Sequence, residues 1–262
     1  MSRHEKRLTM KLNNKVAVVT GGAGGLGTEI SRELARQGAA VAILDRDSVD
    51  DVASQVSSEG TKAIQLGVDI TNNSEVASAF GEIESLLGPV DILVNAAGIT
   101  GTSRPTHEAT ENDFDDVFAV NVKGTFFCSK YAIQSMLQHK SGGSIVNISS
   151  TYGVAANADI PLYHATKAAV LMMAKTDGVT YAAEGIRANA IVLGTTRTAM
   201  SEAAMSISPE GSAYLQNLID LHPLKRQAEP DEVAKVVAFL AGPDASYITA
   251  AAIPVDGGYT AI

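Results

Sequence analysis

The sequence predicts an α/β fold: one doubly wound, mainly parallel sheet of seven strands with helices on both faces. Three observations carry this. Short apolar runs rich in Val and Ile alternate with longer amphipathic stretches. The short runs are nearly continuous rather than alternating, as in strands covered by helices on both sides. A glycine-rich turn joins the first run to the first helical stretch. The strands fall at 16–20, 40–44, 63–68, 90–94, 144–148, 188–193 and 251–255. Helical stretches lie between them at 25–37, 49–58, 73–87, 111–139, 161–184 and 230–241, the rhythm of βαβ units. Segment 195–221 breaks that rhythm. It holds Met200, Met205, Pro209, Gly211 and Tyr214 but no strand, and such an insertion is the expected place for a substrate lid. There is no repeat and no linker, so residues 15–262 are expected to form one domain, behind a polar arm at 1–14 expected to be disordered.

Composition narrows the function. Of the 262 residues, 45% are hydrophobic and 19% charged, the balance of an ordered globular chain. A formal charge of −9 and a pI near 5.0 disfavour a surface built for nucleic acid or anionic lipid and favour a small-molecule partner. Cys128 is the only cysteine, which excludes an intrachain disulfide and a thiolate-rich metal cage, and its apolar neighbours Phe126 and Phe127 make it a packed side chain. No apolar run reaches the ~20 residues of a membrane helix, and the polar start lacks the apolar stretch of a signal peptide. The expected location is the cytoplasm.

The segment Thr20-Gly21-Gly22-Ala23-Gly24-Gly25-Leu26-Gly27 follows the first strand and opens a helix. Glycines there permit a tight turn and close backbone approach, so that free N–H groups at the helix start can meet a pyrophosphate. No Gly-Lys-Ser/Thr follows, which argues against a P-loop. The second strand ends in Asp45, eighteen residues after Gly27, where a reader of ribose hydroxyls belongs. A carboxylate accepts hydrogen bonds from those hydroxyls and repels a 2′-phosphate, so Asp45 favours NAD(H) over NADP(H). Arg46 beside it pulls the other way.

Tyr163 and Lys167 stand four apart and share one face of a helix. Removing an alcohol's proton needs a base, and a phenol of pKa ~10 serves only if its anion is stabilised. Lowering it to ~7 takes roughly 4 kcal/mol. A neighbouring ammonium at ~4 Å supplies about that much at an effective dielectric of ~20. Neither Ser149 nor Ser150 sits in Gly-x-Ser-x-Gly, so a hydrolase reading fails. His164 faces about a quarter-turn from Tyr163 and is expected to be structural or pocket-lining. His107 and His222 have no motif around them. The carboxylates Glu111, Asp113, Asp115 and Asp116 are expected to form a solvated helix start rather than a metal site.

From Lys15 onward the chain resembles the short-chain dehydrogenase/reductase family. The motifs are Thr20-Gly21-x-x-x-Gly25-x-Gly27, Asp69-Ile70, Asn95-Ala96-Ala97-Gly98, Asn121, Ser150 and Tyr163-x-x-x-Lys167, in the family's order and spacing. The resemblance implies a Rossmann-like fold and an NAD(H)-dependent interconversion of secondary alcohol and ketone. It implies that Tyr163 is the general acid or base, that Lys167 tunes it and holds the ribose, and that Ser150 positions the substrate oxygen, with Ser149 the runner-up. Asn121 would support a proton relay or satisfy a helix kink. Cofactor contacts would come from Gly21, Gly25, Leu26, Gly27, Asp45, Arg46, Asp69, Ile70, Asn95, Ala96, Ala97, Gly98, Tyr163, Lys167, Thr196 and Thr198. Leu193 stands where the family usually has proline, which is expected to loosen the turn holding Thr196 and Thr198. The resemblance also implies a homotetramer packed through 111–139 and 161–184. Two alternatives are a 3-oxoacyl-carrier-protein reductase and a non-catalytic NAD-binding module. Asp45 weighs against the first and the complete set of catalytic motifs against the second. The expected pocket walls, Thr151, Tyr152, Ala155, Asn157 and Ile160, carry no fixed charge and suit a neutral or weakly polar ketone, while Arg104 and Arg197 leave an anionic substrate open.

Overall fold

The computed structural model describes residues 10–46, 52–198 and 209–262. Its strands are β1 (Val16–Thr20), β2 (Ala40–Asp45), β3 (Ala63–Gly67), β4 (Ile92–Asn95), β5 (Gly143–Ile148), β6 (Ile186–Leu193) and β7 (Ala252–Val255). They form one parallel sheet in the order β3-β2-β1-β4-β5-β6-β7. The helices are α1 (Gly25–Arg36), α2 (Val52–Ser57), α3 (Asn73–Leu87), α4 (Glu111–Phe118), α5 (Thr125–His139), α6 (Pro161–Thr180), α7 (Pro209–Leu221) and α8 (Pro230–Ala241). The order reverses between β1 and β4, which opens a crevice at the carboxyl ends of those strands.

The continuous apolar runs are explained by burial on two sides. Ala17, Val19, Val41, Ile43, Ile92 and Val94 enter the layer that also contains Ile30 and Leu34 of α1 and Val237 of α8. Their neighbours Val18, Ala42, Leu44 and Leu93 enter the opposite layer with Phe80 of α3 and Met136 of α5. Leu171 and Ala174 of α6 pack on Ala190 and Val192 of β6. Leu34 is fully enclosed. Leu34→Ala is expected to lower the unfolding free energy by about 2–5 kcal/mol in urea denaturation; a loss below about 1 kcal/mol would mean that the α1 layer collapses to fill the space.

Several boundaries differ from the sequence expectation. The stretch 111–139 is not one α-helix: α4 and α5 are joined by a π-helical turn, Ala119–Gly124. Within this wider turn the Asn121 carbonyl accepts from Thr125 Oγ1 at 2.8 Å. β4 starts at Ile92 rather than 90 because the Val90 N–H is taken by Ser135 Oγ at 3.1 Å. β6 starts earlier, at Ile186, and α6 ends at Thr180 before a 3-10 turn at Ala182–Glu184. The start of the predicted 49–58 helix lies outside the described residues, as do residues 1–9 of the arm. Residues 11–14 of that arm form a turn in which Leu12 is buried and its N–H donates to Gln37 O at 2.9 Å. Of the expected lid, residues 199–208, with Met200 and Met205, lie outside the described residues. The remainder supplies α7 and a single parallel bridge between Thr196 and Ala228. Among the described residues no helix is long and apolar enough to cross a membrane.

Candidate active site

The turn between β1 and α1 lies in the crevice at the strand-order reversal. Gly21 has φ +64°, and a β-carbon there would sit 2.7 Å from Ala97 Cα in the loop after β4. A β-carbon at Gly27 would sit 2.1 Å from the Gly21 carbonyl oxygen, so only glycine lets α1 start this close to the turn. α1 has no side-chain cap and no acidic residue in its first turn, which leaves its leading N–H groups and positive dipole end available to an anion. Thr20 Oγ1 accepts from the N–H groups of Ala96 and Ala97, both at 3.2 Å, and ties the two loops together. Asp45, at the end of β2, accepts from the Ala23 N–H at 3.0 Å. These features fit a dinucleotide: a cradle that a β-carbon would fill, an uncapped helix start and a carboxylate one strand away.

The other expected cofactor residues divide. Asp69 lies on the β3 side of the crevice, its carboxyl held below the ordinary range mainly by the N–H and hydroxyl of Thr71, with Arg46 and Lys123 adding to the effect. Ile70 is buried against Gly124. Asn95 is turned into the interior, where its amide donates to Ser129 Oγ at 3.1 Å and Asn147 Oδ1 at 2.9 Å. Its place in the motif is that of a brace between β4, β5 and α5.

The four expected catalytic residues come together at the carboxyl ends of β4 and β5. Asn121 is held in the π-helical turn by a reciprocal pair with Ile99, accepting from its N–H and donating to its carbonyl, each at 2.9 Å. It also donates to Thr166 Oγ1 at 3.0 Å. Lys167 is buried, and its Nζ donates to Ile148 O at 2.8 Å and lies 5.5 Å from the Tyr163 ring centroid. The ammonium is therefore anchored to the end of β5 beneath the tyrosine. Burial lowers the Lys167 ammonium to about 8. Burial also pushes the Tyr163 phenol up to about 12, against a hydrogen bond with Ser150 that pulls it down. The two serines separate clearly. Ser149 Oγ donates to the Lys167 carbonyl at 2.7 Å, while Ser150 Oγ accepts from the Tyr152 N–H at 3.2 Å and meets Tyr163.

The turn after β6 is not loosened by Leu193. Gly194 N–H donates to Val255 O at 3.0 Å, Arg197 N–H to Ala228 O at 2.9 Å and Ala228 N–H to Thr195 O at 2.9 Å. His222, which the sequence left without a role, is buried here. Its Nε2 accepts from the Thr195 N–H at 3.1 Å and its Nδ1 bonds Leu218 O at 2.7 Å. Thr196 and Thr198 follow directly. His107 is exposed, and the carboxylates at 111–116 form a helix start with a capping box between Thr110 and Asp113. Among the described residues no group of His, Cys, Asp and Glu could hold a metal ion. Cys128 is fully buried and its thiol is pushed up to about 12. Asp159 was missed altogether: it lies beside Tyr152, and only its position just before Ile160-Pro161 and the tyrosine helix could have signalled it.

Known proteins share this architecture. The family model described as enoyl-(acyl carrier protein) reductase matches residues 21–260. The cis-4-hydroxycyclohexanecarboxylate dehydrogenase of Sinomonas cyclohexanicum is 37% identical over 249 residues, 95% of this chain and 97% of that protein. Among solved structures, NAD+-bound xylitol dehydrogenase superposes with TM-score 0.88 at 29% identity, covering 95% of this chain and 100% of that one. A 2-deoxy-d-gluconate 3-dehydrogenase homologue from Agrobacterium tumefaciens with bound NADP superposes with TM-score 0.87 at 30% identity, covering 97% and 99%. With its parallel sheet, its glycine cradle and a family match over nearly its whole length, the chain is an oxidoreductase of the short-chain dehydrogenase/reductase family, whose members bind a nicotinamide dinucleotide.

Proposed function

We propose that the enzyme interconverts a secondary alcohol and a ketone with NAD(H), using Tyr163 as general acid or base. The observation that carries this reading is the meeting of Ser150 and Tyr163 above the buried Lys167, beside the glycine cradle. When bound, the nicotinamide supplies or accepts the hydride. The protein's own residues handle the oxygen and its proton. Ser150 donates a hydrogen bond to the substrate oxygen, where charge develops as the carbonyl is reduced. Tyr163 gives that oxygen its proton in reduction and takes it in oxidation. Lys167, below the ring, stabilises the phenolate, and Asn121 in its π-helical turn orders the proton path to solvent. Thr196 and Thr198 border the nicotinamide end.

The preference for NAD(H) rests on Asp45, which offers a carboxylate to the ribose hydroxyls and charge repulsion to a 2′-phosphate. Relatives with NAD+ and with NADP both exist, so the test is direct. Consumption of NADH and of NADPH is followed with a panel of neutral ketones and one acyl thioester. NADH is expected to be favoured in kcat/KM by roughly tenfold or more, the value of a charged hydrogen bond. Preference for NADPH would mean that Arg46 dominates, and turnover of the thioester alone would favour the carrier-protein alternative. Exposed Phe126, Leu137 and Met172 border a groove of about 500 Å³ between α5 and α6, which supports a homotetramer packed through these helices.

A further inference from the structure

A second polar cluster lies against the catalytic tyrosine and has no part in the proton chemistry. The Tyr152 ring meets Tyr163 edge-on, with centroids 6.3 Å apart, and stacks on His164 at 4.3 Å. His164 Nε2 accepts from the Asn157 N–H at 3.1 Å and its Nδ1 bonds Ile160 O at 3.1 Å, so the imidazole is a fixed platform. The Tyr152 hydroxyl accepts from Asn157 Nδ2 at 2.8 Å and stands 3.4 Å from both Asp159 Oδ2 and the Tyr214 hydroxyl. Asp159 Oδ1 is shielded from solvent and has no hydrogen-bond partner. Burial accordingly raises the Asp159 carboxyl above its ordinary range.

Two features here are unfavourable for the protein alone. One is the unmatched carboxylate oxygen. The other is Ile160, a β-branched residue before proline held at φ +32°. Such features persist where the surroundings impose them, and they gather at ligand sites. A buried acceptor needs a donor, and an alcohol hydroxyl is a neutral one. Donors and acceptors alternate around Tyr152, a pattern that a hydroxyl, being both, can join. The arginines that could have received an anionic substrate are engaged elsewhere: Arg104 with Asp113 at 3.3 Å and Arg197 with Glu229 at 3.5 Å.

We propose that Asp159 determines specificity by accepting a hydrogen bond from a second hydroxyl of the substrate, so that the enzyme acts on neutral diols or polyols and the corresponding hydroxyketones. The proposal rests on the alcohol–ketone reading above. A carboxylated substrate is disfavoured by like charge.

The test pairs a change in the protein with a change in the substrate. The kcat/KM of cyclohexanol is compared with those of the cyclohexanediol isomers and of cis-4-hydroxycyclohexanecarboxylate, for the unaltered enzyme, Asp159→Leu and Asp159→Asn. The best diol is expected to exceed cyclohexanol by roughly tenfold to a hundredfold in the unaltered enzyme. That ratio should approach one in Asp159→Leu and fall part of the way in Asp159→Asn, which keeps one acceptor oxygen and serves if the leucine variant does not fold. A ratio near one in the unaltered enzyme, a ratio unchanged in the folded variants, or a preference for the carboxylated compound overturns the proposal and leaves the alcohol–ketone reading standing. Turnover of none of these compounds with either cofactor overturns both.

Discussion

Tyr163→Phe is expected to lower kcat by roughly a hundredfold to ten-thousandfold in both directions, the contribution of a positioned general acid or base. The substitution removes one oxygen and leaves the ring, so packing against Tyr152 and the cover over Lys167 persist. Cofactor titration should therefore still show binding, which separates a lost proton from a lost fold. The pH dependence follows from the two shifts. Burial lifts the phenol to about 12 and lowers the ammonium to about 8. The Tyr163 shift favours the phenol, the form that can protonate a ketone. Alcohol oxidation needs the phenolate, so its kcat/KM should rise with pH from neutrality toward about 12, while ketone reduction, which needs the phenol, should stay level until it falls near that pH. Profiles that are flat in both directions would show that Tyr163 does not carry the proton.

Gly27→Ala should weaken cofactor binding on the order of a hundredfold, because two backbone elements must separate to admit one methyl group. The added carbon would lie 2.1 Å from the Gly21 carbonyl oxygen and 2.8 Å from Gly22 Cα, neither of which can rotate away. Helix propensity favours alanine by only about 1 kcal/mol, whereas overpacking of this kind costs about 1–3 kcal/mol and moves the N–H groups that would face the pyrophosphate. Gly81→Ala in α3 is the matched control. Nothing lies within 4 Å of its added carbon, and it should stabilise the fold by about 0.5–1 kcal/mol in thermal unfolding without altering cofactor affinity. Equal affinity losses in both variants would refute the cradle.

The strand and helix rhythm, the glycine turn, Asp45 at the end of β2 and the shared face of Tyr163 and Lys167 were all legible in the sequence. Each depends on periodicity or on neighbours a few residues away, and backbone geometry converts that spacing into position. The tertiary structure decided what depends on partners distant in the chain. Ser149 and Ser150 differ because the carbonyl of Lys167, eighteen residues on, claims the first hydroxyl. Asn95 braces the interior because Asn147 and Ser129 meet it there. The turn after Leu193 is firm because His222 and the Val255 and Ala228 carbonyls reach it from later elements. Asp159 carries no motif; folding sets one of its oxygens beside the hydroxyl of Tyr152, the ring that meets the catalytic tyrosine, and leaves the other unmatched. Spacing is written along the chain, whereas the partner of a buried polar atom is chosen by whichever group folding brings within hydrogen-bond reach.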